Sequence, residues 1–236
     1  MGIIGVVAAL TLPNLNSSTG DKEKVAKLQK IYSNLNDAFG RAVAVYGPVV
    51  NWYTGENVDL NKKTGERLSD FLKVSKVCDG AVAGCFKSGV VYRLDNVSSG
   101  WNFNSSSSYK LLLADSISIY FQIYRPACGD FKATGNEDQS NVCGKIFVDI
   151  DGPNKGSYVW GKDIFEFVLS TDGFYPIGMQ NEPNYGGDNL KNCFKYGFSC
   201  TGWVMESGNL DYLKADSTGK CKNSNNTLSW TLLSCK

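Results

Sequence analysis

The sequence predicts an α+β fold in which one long N-terminal helix packs on an antiparallel β-sheet head with disulfide-stapled loops. Three observations carry that prediction. A helical apolar stripe, Val25, Leu28, Tyr32, Leu35, Phe39, Ala42 and Tyr46, repeats at 3-4-3-4-3-4 spacing. Later runs alternate with period two, best in Ser116–Tyr124, where Ile117, Ile119, Phe121 and Ile123 share one face. Finally, the chain carries eight cysteines and no histidine.

The chain divides into an apolar segment (1–15), an amphipathic helix continuing it (16–47) and a single globular α/β head (48–236). Met1–Leu15 carries no charge. As a helix, ~14 residues span ~21 Å against a hydrocarbon core of ~30 Å. It has no basic n-region and no small-x-small cleavage site, so it does not read as an intact signal peptide. It reads as the second half of a transmembrane helix whose first half would precede Met1. Pro13 is expected to kink or loosen it. Ser18 and Thr19 could cap a separate helix, or the helix could run on unbroken. Ile31, Ala38 and Val45 widen the stripe, and Gly47-Pro48 ends it.

Beyond Tyr46 the pattern predicts a short helix over Arg67–Val77, then strands at Gly89–Leu94, Tyr109–Ala114, Ser116–Tyr124, Lys145–Ile150 and Ile164–Leu169. Asp172-Gly173 turns the chain into a further strand at Tyr175–Ile177. Ser98–Ser108 and Phe131–Val142 read as surface loops. There is no internal repeat and no second apolar run of ~20 residues.

Charge is balanced, 24 basic against 23 acidic residues, which argues against a surface dominated by nucleic-acid binding. Without histidine there is no Ser-His-Asp or Cys-His set, and Walker A, GxGxxG and HExxH motifs are missing, so the chain reads as non-enzymatic. Cys78, Cys85, Cys128, Cys143, Cys193, Cys200, Cys221 and Cys235 lack the C-x₂₋₄-C spacing of zinc sites and point to disulfides in an oxidising compartment. Eight cysteines allow 105 connectivities. The simplest is sequential, Cys78–Cys85, Cys128–Cys143, Cys193–Cys200 and Cys221–Cys235.

Asp149 and Asp151 form a carboxylate pair, followed by Asp163 and Glu166. Such pairs serve glycosidases when a sugar fits between them, and Asp beside Gly152 and Pro153 equally serves to cap a turn. Asp149, Asp151, Asn154 and Asp163 could supply oxygens to calcium, although the spacing is not that of an EF-hand. No other cofactor is indicated. Trp101, Tyr109, Tyr158, Trp160, Tyr185, Tyr196 and Trp203 lie among Asn, Ser and Gly, a composition suited to packing or to contacts with glycans or proteins.

Gly2-Ile-Ile-Gly-Val-Val-Ala-Ala-Leu-Thr-Leu-Pro13 resembles the second half of the N-terminal helix of type IV pilins and type II secretion pseudopilins. Phe147-Val-Asp-Ile-Asp-Gly-Pro-Asn154, Trp160-Gly-Lys-Asp-Ile-Phe-Glu-Phe167 and Cys200-Thr-Gly-Trp-Val-Met-Glu-Ser-Gly-Asn-Leu-Asp-Tyr-Leu213 resemble head motifs of that family. The resemblance implies a ladle-shaped subunit of a pilus or pseudopilus. Val6, Val7, Leu10, Leu12, Pro13 and Leu15 would then form the segment that bundles with other subunits. It also implies residence in the inner membrane with the head in the periplasm, then in an extracellular or periplasmic filament, with a prepilin peptidase and an assembly platform as partners. The family's leader and processing site would lie before Met1. A membrane-anchored, disulfide-rich adhesin or carbohydrate-binding module is the alternative. On the pilin reading, Leu28, Leu35 and Phe39 should be buried against the sheet near Ile117, Ile119 and Phe121.

Overall fold

The structure, a computed structural model, describes residues 3–54, 58–104, 108–129, 131–132, 138–139, 141–180 and 189–235. Side chains are described from Thr19 onward, except at 131–132, 138–139 and Asn189. The chain is α+β, with a long helix, a six-stranded antiparallel sheet and four disulfides.

Helix α1 runs unbroken over Ile3–Tyr46, so neither Pro13 nor Ser18–Thr19 ends it. Among the described residues, no helix is long and apolar enough to cross a membrane. From Val25 to Ala42 the apolar stripe is buried, with Tyr32 partly so, as its periodicity requires. Val45 is the exception at 64% exposed, because the helix is leaving the sheet there. A 3-10 turn at Val49–Tyr53 follows, buries Trp52, and anchors its indole N–H on the Gly47 carbonyl at 2.8 Å.

The predicted helix over Arg67–Val77 is corrected in two ways. Helix α2 spans Leu60–Ser69, capped by the Asp59 carboxylate, which accepts from the backbone N–H groups of Asn61 and Lys62 at 3.0 and 3.1 Å. Val74–Asp79 is instead strand β1, an edge strand with Val77 44% exposed. Exposure on both faces erases the alternation that would mark a strand. Gly89–Leu94 is not a strand either. It is a loop that touches its neighbours through isolated bridges at Tyr92.

The remaining strands are β2 (Tyr109–Leu113), β3 (Ser118–Ile123), β4 (Phe131–Lys132), β5 (Asp138–Gln139), β6 (Val142–Asp149), β7 (Ile164–Ser170) and β8 (Gly173–Pro176). The sheet order is β1-β2-β3-β6-β7-β8, so consecutive partners pair antiparallel; β4 and β5 form a separate small hairpin within the predicted Phe131–Val142 loop. Two helices that the pattern did not reveal, α3 (Asn189–Tyr196) and α4 (Cys200–Ser207), follow, and a 3-10 turn at Asp211–Lys214 comes after them.

Two layers cover the sheet. On the inner face Leu111, Ile119, Phe121, Ile146, Val148, Phe165 and Phe167 join the helix stripe in one apolar core. Helix α1 lies over the β7–β8 half: Tyr32 stacks on Phe167 at 5.7 Å, and Phe39 meets Phe174 at 6.1 Å and Trp52 at 6.0 Å. The expected neighbours Ile117, Ile119 and Phe121 share that core, but α2 covers β2 and β3. Gly65 makes this possible, since a Cβ there would lie 2.3 Å from the Tyr109 ring. On the outer face Tyr120, Phe147 and Ile164 pack under Phe86, Val91, Phe103, Tyr158 and Trp160, which come from loops.

Candidate functional site

Three regions collect the residues that sequence chemistry singled out. The first is the seam where α1 meets the end of the sheet. Lys24 projects from the helix into the β6–β7 connection, where its ammonium lies 2.9 Å from Asp151 Oδ2 and 2.5 Å from Asp163 Oδ1, and donates to the Lys162 carbonyl at 3.1 Å. Lys27 reinforces it at 3.5 Å from Asp151. Burial pushes the Lys24 ammonium down, but hydrogen bonds to Asp163 and Asp151 outweigh this and hold its pKa above the usual lysine value. Burial likewise pushes Asp163 up, and the Lys24 contact wins again, leaving its pKa below the usual carboxylate range.

This clasp bears on the calcium reading. Asp151 and Asp163 converge on an amine of the same chain, which balances the charge a cation would otherwise balance. Asn154 is exposed. Asp149 turns elsewhere: its Oδ1 accepts the backbone N–H groups of Asp151 and Gly152 at 3.0 and 2.9 Å, which is the turn-capping role. Among the described residues no group of three or more His, Cys, Asp or Glu is arranged to hold a metal ion. The Asp149 carboxyl is 1% exposed, and its Oδ2 has no hydrogen-bond partner among the described residues. Burial drives its pKa up to about 8, against the two backbone N–H groups that favour the charged form. Asp149 therefore holds its proton at neutral pH.

Asn36 joins the helix to the sheet a little further along α1. Its side-chain amide accepts the Phe174 N–H at 2.9 Å and donates to the Phe174 carbonyl at 3.3 Å. It thereby satisfies backbone groups on the free edge of β8, as a neighbouring strand would. In the sequence Asn36 sits beside the apolar stripe, next to Leu35. The signal was a lone amide flanking an apolar seam, which does not reveal a partner 138 residues away.

The second region comprises the cysteines. All four sequential pairs are formed, with Cα separations of 6.1 Å (Cys78–Cys85), 3.9 Å (Cys128–Cys143), 4.7 Å (Cys193–Cys200) and 5.5 Å (Cys221–Cys235). Each fastens a loop or helix to the structure beside it. Cys78–Cys85 ties the outer aromatic layer to β1, and Cys193–Cys200 joins α3 to α4. The C-terminal pair is backed by Asp211, whose Oδ2 accepts from the Cys235 N–H and the Ser234 hydroxyl at 2.9 Å each.

The third region is a groove of about 420 Å³ on the outer face. Trp101 and Phe198 supply partly exposed ring surface over the buried rings of Phe147 and Trp160, with Tyr124 beside them. Gln122, Asn192 and Ser199 supply neutral polar groups, and Lys145 faces Glu166 at 3.4 Å. Glu166 also accepts the Ser199 N–H at 3.0 Å, so this carboxylate serves the chain's own fold. Of the aromatics picked out in sequence, only Trp101 and Trp160 line the groove. Tyr109, Tyr158 and Trp203 are core residues, and Tyr196 lies beneath Arg93 at 4.5 Å; Tyr185 lies outside the described residues. The side chains of Val6, Val7, Leu10, Leu12, Pro13 and Leu15 lie outside the described residues as well. No protein family, curated protein or solved structure matches the chain.

Proposed function

We propose that the chain is a filament subunit of the type IV pilus or type II secretion pseudopilus kind, a ladle with α1 as its handle. One observation carries the reading: a single helix, Ile3–Tyr46, packs its apolar stripe against the head from Val25 to Ala42 and has no charged residue before Asp21. A surface of that length without charge seeks lipid or copies of itself. The Lys24–Asp151–Asp163 clasp marks where the head-packed part of the helix begins, and it makes helix and head one lever.

On this reading the uncharged segment, with Val6, Val7, Leu10, Leu12 and Leu15, rests in the inner membrane and then bundles with the same segment of other subunits. Heads tile the outside. A prepilin peptidase and an assembly platform act on the chain, and the chain itself does no chemistry. The test compares the chain with Leu10→Asp by sedimentation and electron microscopy, with and without detergent. The chain is expected to need detergent or to form large assemblies, while Leu10→Asp disperses to monomer with unchanged circular dichroism. Identical monomeric behaviour of both in detergent-free buffer would overturn the proposal.

A further inference from the structure

We infer that the outer-face groove is a binding site for a neutral pyranose glycan, a function separate from assembly because it lies on the face opposite α1. A sugar ring offers an apolar face of C–H groups and a rim of vicinal hydroxyls. It therefore needs aromatic surface together with side chains that both donate and accept. The groove meets both needs. Trp101 and Phe198, both partly exposed, pack on the buried Trp160 at 6.1 and 5.2 Å to form its aromatic wall. Gln122 and Asn192 are half-buried beside them, and neither side-chain amide has a hydrogen bond among the described residues. Each such amide offers a planar donor and acceptor to a pair of adjacent hydroxyls.

Two further observations narrow the ligand. Trp160 is 1% exposed, yet its indole N–H has no hydrogen-bond partner among the described residues. Buried donors are nearly always paired, so this one marks a place where an acceptor is expected to arrive. Lys145 and Glu166 are the charged residues of the lining and they neutralise each other at 3.4 Å. A site without net charge selects uncharged hexoses over sialic or uronic acids. Its volume, about 420 Å³, lies in the ~300–1,000 Å³ range of small-ligand sites. Proline-rich peptides also favour aromatic grooves with an indole donor, but they read a ridge of exposed rings. Here the rings are largely sunk, and amides flank them.

The test titrates the full chain with methyl glycosides of glucose, galactose, mannose and N-acetylglucosamine, read by tryptophan emission and saturation-transfer NMR. N-acetylneuraminic acid and a proline-rich peptide are contrast probes. At least one neutral glycoside should bind, with saturation transfer strongest from its C–H face. Gln122→Ala with Asn192→Ala should weaken it about tenfold or more, the loss of one to two hydrogen bonds, while near-UV circular dichroism stays unchanged. Tyr175→Ser, at an exposed aromatic on β8, should leave binding intact. The inference is overturned if no neutral glycoside binds at ~20 mM, a level that detects even very weak sites. Binding unchanged in the double variant, or binding of the acid or the peptide alone, would overturn it equally.

Discussion

The two faces of the sheet are covered by different chemistry. The inner face is aliphatic and aromatic throughout and is sealed by regular helices, α1 and α2. The outer face carries Lys110, Ser118, Asp149 and Glu166 among its rings, all buried, and is sealed by loops and a disulfide. A helix buries its stripe with its own backbone already hydrogen-bonded, so the inner layer uses few polar side chains, among them Asn36 on β8 and Thr64 beside Tyr53. Loops bring unpaired backbone groups with them, and the outer layer spends side chains on satisfying them. The Lys110 ammonium donates to the Gly80 carbonyl at 2.7 Å, and the Ser118 hydroxyl donates to the Cys85 carbonyl. One face thus holds the fold together, and the other holds polar groups in place.

If that contrast is right, the largest single loss should come from the inner seam. Phe39→Ala should cost ~3–5 kcal/mol in denaturant unfolding, since it empties the contact among α1, Trp52 and Phe174. A loss under ~1 kcal/mol would mean that the seam is not the keystone of the inner face. Replacing Cys78 and Cys85 by Ser should cost ~2–4 kcal/mol. It should lower near-UV ellipticity from the outer aromatic cluster before far-UV ellipticity changes. Simultaneous loss of both signals would show the two layers to be one cooperative unit.

Smaller effects follow from charge. Lys24→Met should cost ~1–3 kcal/mol near neutral pH by leaving Asp163 buried without its partner. Asp163 has a lowered folded-state pKa, so its contribution is present above the unfolded value of ~3.9 and fades as pH falls through the folded value. Lys24, raised in the folded state, contributes below ~10.5 and loses its contribution as pH rises through its folded value. Asp149 slopes opposite to Asp163 and in the same sense as Lys24. Its folded pKa is raised from 3.8 to about 8, so the folded state holds more protons and stability declines as pH climbs between those values. Asp149→Asn keeps an acceptor for the Asp151 and Gly152 N–H groups and should flatten that decline, gaining ~1–3 kcal/mol on the parent at about pH 8.5. An unchanged slope would place the titration elsewhere. The smallest effect, ~1 kcal/mol, is expected for Asp59→Ala at the cap of α2.

What the sequence made legible was whatever repeats locally. The stripe from Val25 to Ala42 is periodic because one side of the helix packs on the head, and Ile117 to Ile123 alternate because one face of β3 joins the apolar core while the other sends Ser118, Tyr120 and Gln122 under the outer layer; both patterns are found as read. The disulfides were legible because each joins neighbours. Helix α2 was hidden by its polar sequence, Leu60-Asn-Lys-Lys-Thr-Gly-Glu-Arg-Leu-Ser69, in which few apolar residues mark a face. Strand β1 was hidden because it is an edge. Lys24 and Asn36 were illegible for a deeper reason: a charged or amide side chain on a helix flank looks solvated until the fold brings its partner. The aromatic groove shared that fate, since Gln122, Lys145, Glu166 and Asn192 come together only across β3, β6, β7 and α3.

The distant partners of α1 also set an order of events during synthesis. Every ladder of the main sheet joins consecutive partners in the order β1-β2-β3-β6-β7-β8, whereas Asn36 waits for Phe174 and Lys24 for Asp163, separations of 138 and 139 residues. At ~5–20 residues per second, a gap of that size takes roughly 7–30 s to translate. For that interval the helix is finished and its sheet is not. Leu28, Ile31 and Leu35 then face outward, and whatever first meets that side, whether a chaperone, a bilayer or a second nascent chain, competes with the β7–β8 half for the same surface.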